Sequence, residues 1–350
     1  MKNLRIALTA DPELPVPPTH YGGIERIIHL LADGLIARGH EVTLIAHPNS
    51  CTRAKLVPYG SFDWRFRMGM ASNIALVTRT VALGKFDIIH SHSRLAYILP
   101  TLAMRIPKLM SYQRKVTPRS IAWARRLGGD TIEFTAVSRD MIANVQHLAP
   151  WHVVYNGVPI KIYKFQGAVE PSAPLVFLGR IEPIKGTHLA IEIAQRSGVP
   201  LVIAGNIPDE HQAYFRTQIF PRLDGEFISY VGPVNDSEKN SLLGRARAFL
   251  MPILWDEPFG IVMAEALACG TPVIGLKRGS VPEVVADGVT GFVCSEMNEM
   301  VQAVGRVDQL DRAACRARAE AMFTEDTVVE RFLEIYRHLV KAASGGARGK

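Results

Sequence analysis

Short apolar runs rich in β-branched residues alternate with longer helical patterns along nearly all of this 350-residue chain. Such alternation is typical of parallel sheets, because parallel neighbours need a crossover connection, usually a helix, between them. A chain of this length also exceeds what a single hydrophobic core usually holds. We therefore expect an α/β protein with two Rossmann-like, doubly wound parallel-sheet domains facing a cleft. The predicted strands comprise residues 4–10, 41–46, 86–92, 108–111, 134–138, 175–178, 201–204, 226–231, 248–252 and 272–275.

The pattern restarts after Asn156-Gly157-Val158-Pro159, where glycine and proline favour a hinge. This break predicts an N-terminal domain over residues 1–157 and a C-terminal domain over residues 158–325. Residues 326–343 lie beyond the last predicted strand and predict an amphipathic helix. In doubly wound sheets, ligands bind beyond the carboxyl ends of the strands, so functional residues are expected there.

The composition excludes several classes of protein. Hydrophobic residues make up 48% of the chain and charged residues 21%, as in ordinary globular proteins. No stretch approaches the ~18 uninterrupted apolar residues of a membrane span, and the N-terminus runs directly into a predicted strand rather than a secretory signal. The 4 cysteines are widely separated and form no Cys-x-x-Cys pair. These features predict a cytoplasmic protein with reduced thiols.

The net charge of +7 is unevenly distributed, because the chain from Ile88 to Gly129 has eight basic residues and no acidic one. This segment predicts a positive surface for an anionic partner, either a phosphorylated or lipid-linked acceptor or the inner face of a membrane. An ordinary solvated face is the alternative. Nucleic acid is not expected, since the chain has no recognition-helix, zinc-finger or RNA-binding pattern. The basic residues are Arg94, Arg105, Lys108, Arg114, Lys115, Arg119, Arg125 and Arg126.

Two glutamates, Glu257 and Glu265, bracket a Pro-Phe-Gly turn and an apolar stretch. Because Pro258 and Gly260 interrupt a continuous helix, we expect Glu257 on a loop and Glu265 on the second turn of the helix that follows. Backbone N–H groups at such a helix start suit an anion. A carboxylate among apolar residues is costly unless it is paired or bound, which favours a ligand over a buried core role. A nucleoside diphosphate sugar has the anion and the hydroxyls that this arrangement suits.

Cationic and glycine residues lie at two other predicted strand ends. Arg180 offers a bidentate fork and Lys185 a point charge in the loop after residues 175–178, which suits a diphosphate leaving group. Gly22 and Gly23 open the first predicted helix, where glycine lets a phosphate approach the backbone. Taken singly, such residues are also typical of surface charges and of a loop end.

His90 and His92 lie at the end of a further predicted strand. A His-x-His pair can bind zinc, but no third ligand at a suitable spacing is near, so a metal is not expected. A histidine that hydrogen-bonds a sugar hydroxyl fits better, and His92 is the candidate. The chain has neither a Gly-x-Gly pair nor a P-loop motif, which argues against an NAD enzyme and a standard P-loop kinase.

Taken together, these residues resemble the retaining glycosyltransferases with the GT-B fold, in family four of the glycosyltransferase classification. The resemblance covers nearly the whole chain and is strongest over residues 257–275. Asp-x-Asp, the usual metal-binding signature of the other large glycosyltransferase fold, does not occur. The remaining motifs are Tyr21-Gly22-Gly23-Ile24-Glu25, Asp87-Ile88-Ile89-His90-Ser91-His92, Asn156-Gly157-Val158, Gly179-Arg180, Lys185-Gly186, Ser280-Val281-Pro282-Glu283-Val284-Val285 and Gly288-Val289-Thr290-Gly291-Phe292.

The resemblance implies that the second domain holds the donor. Glu265 would accept hydrogen bonds from the ribose hydroxyls, and Glu257 from the sugar hydroxyls while it supports positive charge at the sugar. His92 would contact the transferred sugar from the first domain. The remaining donor-binding residues would be Gly22, Gly23, Arg180, Lys185, Phe259, Gly260 and Ile261, with Gly205, Gly232 and Pro233 bordering the base.

The implied reaction moves a sugar from a nucleoside diphosphate sugar to a hydroxyl acceptor, with retention and with neither a metal nor another cofactor. The acceptor stays open among a glycan, a glycolipid and a small metabolite, because the first domain is short and its Pro-rich loop, residues 11–21, is individual. A nucleotide-sugar 2-epimerase of similar form is the alternative enzyme, and a non-catalytic binding protein is a third reading. The resemblance also implies that the last helix packs back onto the first domain.

Overall fold

The structure, a computed structural model, describes residues 3–19, 22–60, 67–114 and 116–346. Tyr21 and Lys115, which entered the sequence analysis, lie outside these ranges. The chain divides into two compact units. The first unit comprises Met1–Asn156 with Glu325–Lys350, and the second unit comprises Gly157–Thr324.

The first unit is built on one parallel sheet, which has seven strands within the described ranges. They are β1 (Arg5–Thr9), β2 (Glu41–Ala46), β3 (Lys55–Pro58), β4 (Ile88–Ser91), β5 (Lys108–Tyr112), β6 (Ile132–Ala136) and β7 (Trp151–Val153). Their spatial order is β3-β2-β1-β4-β5-β6-β7. The connecting helices are α1 (Gly23–Ala37), α2 (Arg67–Leu83), α3 (Leu95–Ile98) and α4 (Pro118–Gly128).

The second unit contains a parallel sheet of six strands among the residues described. They are β8 (Leu175–Leu178), β9 (Leu201–Ala204), β10 (Ile228–Tyr230), β11 (Ala248–Met251), β12 (Val273–Leu276) and β13 (Gly291–Cys294), in the order β10-β9-β8-β11-β12-β13. Its helices are α5 (Thr187–Ser197), α6 (Gln212–Tyr214), α7 (Asp236–Arg245), α8 (Ile261–Ala268), α9 (Val281–Val284), α10 (Met297–Val304) and α11 (Arg312–Met322).

The last helix, α12 (Glu325–Gly346), belongs to the first unit. Its apolar side chains, among them Val329, Phe332 and Leu333, are buried in the same hydrophobic cluster as α1 and β1. The Tyr336 hydroxyl lies 2.6 Å from Nδ1 of the buried His90 on β4. Arg38, directly after α1, also pairs with Asp326 and Glu330 of α12, each at 2.7 Å. Apolar packing and these polar contacts therefore fix α12 on this unit.

Both sheets have the doubly wound arrangement that the sequence predicts. In the first sheet the strand order reverses between β1 and β4, which pair with Thr9 opposite Ser91. In the second sheet it reverses between β8 and β11. Ligands of such folds bind outside the carboxyl ends of the strands at the point of reversal. A ligand site is therefore expected in the loops that follow these four strands.

Several elements were not predicted from the sequence, among them α2, β3, β7 and β13. Strand β3 is a half-exposed edge strand that ends in proline, which weakens its sequence pattern. Helix α2 buries only a narrow stripe, Asn73, Val77 and Val81 at a spacing of four residues, so its amphipathic pattern is weak. No helix within the described ranges has the length and apolar character that crossing a membrane requires.

Candidate functional site

The loops after β8 and β11 lie side by side at the reversal point of the second sheet. The Leu254 N–H donates to the Ile184 carbonyl at 2.8 Å, which ties the two loops together. Gly186 has a positive φ of 75°, and a Cβ placed there would lie 2.0 Å from the Pro252 carbonyl oxygen. Only glycine permits this close approach in this backbone conformation. It allows the loop that carries Arg180 and Lys185 to lie against the loop that leads to Glu257.

Glu257 and Lys185 form an ion pair between these two loops. Oε2 of Glu257 accepts from Lys185 Nζ at 2.5 Å and from Trp255 Nε1 at 3.1 Å. The same Nζ lies 5.1 Å from the centre of the Trp255 ring, within cation–π range. Glu257 and Lys185 were predicted from the sequence to bind separate parts of a donor, and the structure brings their side chains together. Trp255 was missed as a contact of either residue.

The helix start between the two glutamates has the predicted form. Helix α8 begins at Ile261, directly after Gly260, which has a left-handed φ of 68°. Ser280 fixes the preceding loop, because its N–H donates to the Glu257 carbonyl at 2.9 Å and its hydroxyl to the buried Phe259 carbonyl at 2.8 Å. The first N–H groups of a helix have no partner within the helix. Those of α8 are therefore suited to an anion or to sugar oxygens.

Glu265 lies on the second turn of α8 and is only 6% exposed. Its Oε1 accepts from the Tyr163 hydroxyl and from Lys239 Nζ, each at 2.6 Å. Burial and the neighbouring Glu265 carboxylate raise the pKa of Tyr163, so the phenol keeps its proton and donates. Sequence reasoning missed both partners, since Tyr163 lies 102 positions and Lys239 26 positions away along the chain.

Arg180 lies at the start of the loop after β8 and pairs with a carboxylate of the same loop. Its guanidinium is 2.9 Å from Oε1 of Glu182, which is 4% exposed. His211 Nε2 lies 3.4 Å from the other oxygen of Glu182. Arg180 was predicted from the sequence to bind a diphosphate, and no role was predicted for Glu182. The acidic neighbour orients the guanidinium and offsets part of its charge.

The residues predicted to border the base lie at the carboxyl ends of β9 and β10. The Gly205 N–H donates to the Gly232 carbonyl at 2.9 Å, and the Tyr230 hydroxyl donates to the Gly205 carbonyl at 2.7 Å. A Cβ at Gly205 would lie 1.8 Å from the Gly179 carbonyl oxygen. Pro233 follows Gly232 directly. Gly205 is therefore required for close contact between the loops after β8 and β9.

In the first unit, His92 follows β4 and is 6% exposed. Neither ring nitrogen of His92 has a hydrogen-bond partner among the residues that the structure describes. Burial lowers its pKa to about 3, so the ring is neutral at pH 7. Its ring centre lies 4.2 Å from that of His90, whose Nε2 is 2.6 Å from Ser111 Oγ. His90 is thus held by protein contacts, while His92 retains one donor and one acceptor for a ligand.

Gly22 and Gly23 stand at the N-terminus of α1, as predicted from the sequence. A Cβ at Gly22 would lie 2.7 Å from Pro18 Cβ and 2.8 Å from Glu25 Oε2, so the backbone is tightly packed there. Burial raises the pKa of Glu25, which lies on the first turn of the helix. No role was predicted from the sequence for this carboxyl group, which lies beside the place predicted for a phosphate.

The prediction that the basic segment of the first unit forms a positive surface was wrong for Lys108. Lys108 is fully buried, where its ammonium donates to the Leu102 and Met104 carbonyls and to Thr131, and burial lowers its pKa to about 8. Arg94 and Arg114 are paired with acidic residues of the loop after β1. These ion pairs could not be predicted from the sequence, because the acidic residues lie 81 to 103 positions before the arginines.

A basic and apolar surface does remain on α4. The helix buries Ile121, Ala124 and Gly128 and exposes the opposite face. We call this exposed face the α4 surface; it comprises Arg119, Trp123, Arg126 and Leu127, with Trp123 51% and Leu127 44% exposed. Within the part of the chain that the structure describes, no group of three or more His, Cys, Asp and Glu side chains is arranged to hold a metal ion.

Two family models match consecutive parts of the chain. The model described as Glycosyltransferase Family 4 matches residues 21–161, and the model described as Glycosyl transferases group 1 matches residues 160–314. The chain is 26% identical over 306 residues to a phosphatidyl-myo-inositol mannosyltransferase of Propionibacterium freudenreichii subsp. shermanii. The aligned region covers 76% of this chain and 76% of the relative.

Solved structures agree with these matches. AviGT4, a glycosyltransferase involved in avilamycin A biosynthesis, has 26% sequence identity and a TM-score of 0.72, with 97% of this chain and 98% of that chain covered. HepE of Anabaena, solved in complex with UDP-glucose, has 18% identity and a TM-score of 0.73, with 96% and 100% covered. The second comparison supports the fold alone.

Proposed function

Because this chain belongs to the group 1 glycosyl transferases and has the GT-B fold, we propose that it moves a sugar from a nucleoside diphosphate sugar to a hydroxyl acceptor, with retention of configuration and without a bound metal. The observation that carries this proposal is the arrangement at the reversal point of the second sheet. There, Lys185 and Arg180 lie on one loop, Glu257 on the loop beside it and Glu265 on the helix that follows. This set matches the diphosphate, sugar and ribose of one donor.

In the proposed reaction, the bond between the anomeric carbon and the diphosphate oxygen breaks, and the acceptor oxygen bonds to the same face of the sugar. The proton of the acceptor hydroxyl passes to an oxygen of the leaving diphosphate, so atoms and charges balance. Arg180 and Lys185 stabilise the charge on the diphosphate, which is the task that a metal performs in other enzymes. Backbone N–H groups of Gly260 and Ile261 at the start of α8 assist.

The two glutamates and His92 have separate roles in this proposal. Glu265 accepts hydrogen bonds from the ribose, and Glu257 binds sugar hydroxyls and stabilises positive charge at the anomeric carbon. His92 hydrogen-bonds a hydroxyl of the transferred sugar. Its neutral ring supports this role, since a neutral imidazole can both donate to and accept from a hydroxyl.

The experiment that tests the proposal is thermal stabilisation by UDP, GDP, ADP and TDP, each with and without EDTA. A ligand that binds only the folded state raises stability by about 2.7 kcal/mol at a hundredfold excess over its Kd. We expect one nucleotide to stabilise the protein, EDTA to leave the shift unchanged, and Glu265→Gln to reduce it. No shift with any nucleotide would contradict the proposed donor site.

Two further outcomes decide between reactions. The anomeric configuration of the product, read by NMR, is expected to equal that of the donor, and inversion would contradict retention. Conversion of UDP-GlcNAc in the absence of an acceptor would instead indicate a nucleotide-sugar 2-epimerase.

We further propose that the acceptor is lipid-linked and that the α4 surface contacts an anionic membrane. A helix that exposes arginines together with tryptophan and leucine suits an interface, because the cations attract anionic headgroups and the apolar side chains enter beneath them. The mannosyltransferase relative, named for a phosphatidylinositol substrate, supports this direction. Sedimentation with vesicles should favour anionic over neutral lipid, and Trp123→Ala should weaken binding. Equal sedimentation with both lipids would contradict membrane contact.

A further inference from the structure

The two glutamates of the second unit are each held through one oxygen only. Glu257 accepts through Oε2, from Lys185 Nζ and from the indole N–H of Trp255. No residue within the described ranges donates to its Oε1. The Glu257 side chain is 12% exposed, so the hydrogen bonds lie in a largely desolvated environment, where they strongly restrict its torsions.

Glu265 repeats this arrangement with different partners. It accepts through Oε1, from the Tyr163 hydroxyl and from Lys239 Nζ. Lys239 lies 5.6 Å from the centre of the Tyr163 ring and also pairs with Asp236 at 3.2 Å. Oε2 of Glu265 receives no hydrogen bond from the residues that the structure describes. Each glutamate therefore has one lysine and one aromatic donor on one oxygen, and its second oxygen retains the capacity to accept from a ligand.

We propose that Trp255 and Tyr163 are positioning residues that act on different parts of the donor. Trp255 orients the free oxygen of Glu257 toward the sugar hydroxyls, and Tyr163 orients the free oxygen of Glu265 toward the ribose hydroxyls. This inference rests on the proposed function, since it assumes a nucleotide sugar in the second unit. Its physical basis is that a carboxylate held at one oxygen presents the other in a fixed direction before the ligand arrives.

The aromatic donors allow a cleaner test than the lysines. Lys185 is also proposed to contact the diphosphate, so its replacement would change the sugar and diphosphate contacts together. Tyr163→Phe removes one O–H and keeps the ring, and Trp255→Phe removes the indole N–H and keeps an aromatic ring. The lysine remains on the glutamate in each variant, so the carboxylate stays paired.

The experiment is calorimetric titration of the wild-type protein and both variants with UDP, ADP and GDP and with the corresponding nucleotide glucoses. We expect Tyr163→Phe to weaken binding of both the nucleoside diphosphate and its glucose ester by about tenfold, the value of one hydrogen bond to a charged group. We expect Trp255→Phe to leave the affinity for the nucleoside diphosphate unchanged and to weaken that of the glucose ester by about tenfold.

Two control variants remove an aromatic hydrogen-bond donor that does not contact Glu257 or Glu265. Tyr214→Phe removes a hydroxyl that bonds to His188 in the same unit, and Trp151→Phe removes an N–H that donates to the Val145 carbonyl in the first unit. Both should keep wild-type affinities. If Tyr163→Phe or Trp255→Phe only lowers thermal stability, or if Trp255→Phe weakens both ligands equally, the assignment is wrong. A wild-type protein that binds none of the nucleotides would instead overturn the proposed function itself.

Discussion

The reversal points of the two sheets are built from different kinds of polar groups. In the second unit they are charged: Lys185 pairs with Glu257, and Arg180 with Glu182. In the first unit the hydroxyls of Thr9, Ser91 and Ser93 lie within 3.0 Å of one another, and the neutral His92 stands between the two serines in the sequence. The hydroxyls pair with one another and the His92 ring nitrogens have no partner among the described residues, whereas each of these two cations of the second unit is paired with a carboxylate.

This difference fits the separate roles that we propose for the two units. A site that must bind a diphosphate needs cations, and paired carboxylates keep those cations in place while no ligand is bound. A site that recognises hydroxyl groups works with neutral donors and acceptors, which cost less to bury. In the first unit, the charged pairs lie in the loops that follow β1, β4 and β5, where Arg94 and Arg114 pair with Asp11. Three predictions test this division, from the largest expected effect to the smallest.

Lys185→Ala should have the largest effect. It removes the charge next to the proposed diphosphate and leaves Glu257 without its cation, so we expect a loss of about 10² to 10³-fold in kcat. The measurement is the rate at which nucleoside diphosphate is released from the nucleotide sugar. Arg114→Ala, which removes an ion pair from the first unit, should leave nucleotide affinity at its wild-type value. If both variants changed nucleotide affinity equally, the proposal that the second unit binds the diphosphate would be contradicted.

Gly186→Ala should destabilise the second unit by about 3 kcal/mol, because the new Cβ meets the Pro252 carbonyl oxygen in a backbone conformation that favours glycine. Gly198 is a matched control at the other end of α5, with a similar φ of 68° and no heavy atom within 4 Å of an added Cβ. Gly198→Ala should therefore cost only about 1 kcal/mol. Chemical denaturation followed by a probe in the second unit measures both, and equal losses would show that loop contact at Gly186 is unimportant.

Acid should weaken the first unit through two of its buried histidines, His90 and His92. Burial lowers the pKa of His92 to about 3 and that of His90 well below the ordinary 6.5. The unfolded chain therefore binds more protons than the folded chain below pH 6.5, and this stability is present above that pH and lost as the pH falls. Each histidine contributes a slope of at most about 1.4 kcal/mol per pH unit.

The measurement for this prediction is denaturant unfolding at pH 7.0, 6.25 and 5.5 (~0.75 unit apart, spanning the ordinary histidine pKa). His92→Gln should reduce the pH dependence of the free energy of unfolding by the contribution of one histidine. Replacement of the exposed His147 should leave that pH dependence unchanged. A pH dependence that is unchanged in His92→Gln would show that this ring is not buried in its neutral form.

Much of the candidate site could be predicted from the sequence because its residues lie at or shortly after strand ends. The short β-rich runs place His92 at the end of one predicted strand, and Arg180 and Glu257 in the loops after two others. Parallel strands bring such ends to one edge of a sheet. The Pro-Phe-Gly turn likewise predicts the start of α8, since local backbone chemistry decides where a helix can begin. Periodicity and turn residues act over a few positions, so the sequence alone carries this information.

Contacts between distant segments were decided only by the tertiary structure. Tyr163 on Glu265, Tyr336 on His90 and the burial of Lys108 depend on how helices and strands pack, and no local pattern encodes them. The same is true of charge. The segment from Ile88 to Gly129 has eight basic residues and no acidic one, which suggests a positive surface, yet Arg94 and Arg114 pair with Asp11 of a distant loop. The sequence by itself therefore determined which residues stand at the edges of the two sheets. Packing decided which oxygens and nitrogens remain available there, because each buried polar group must find a partner wherever the fold supplies one.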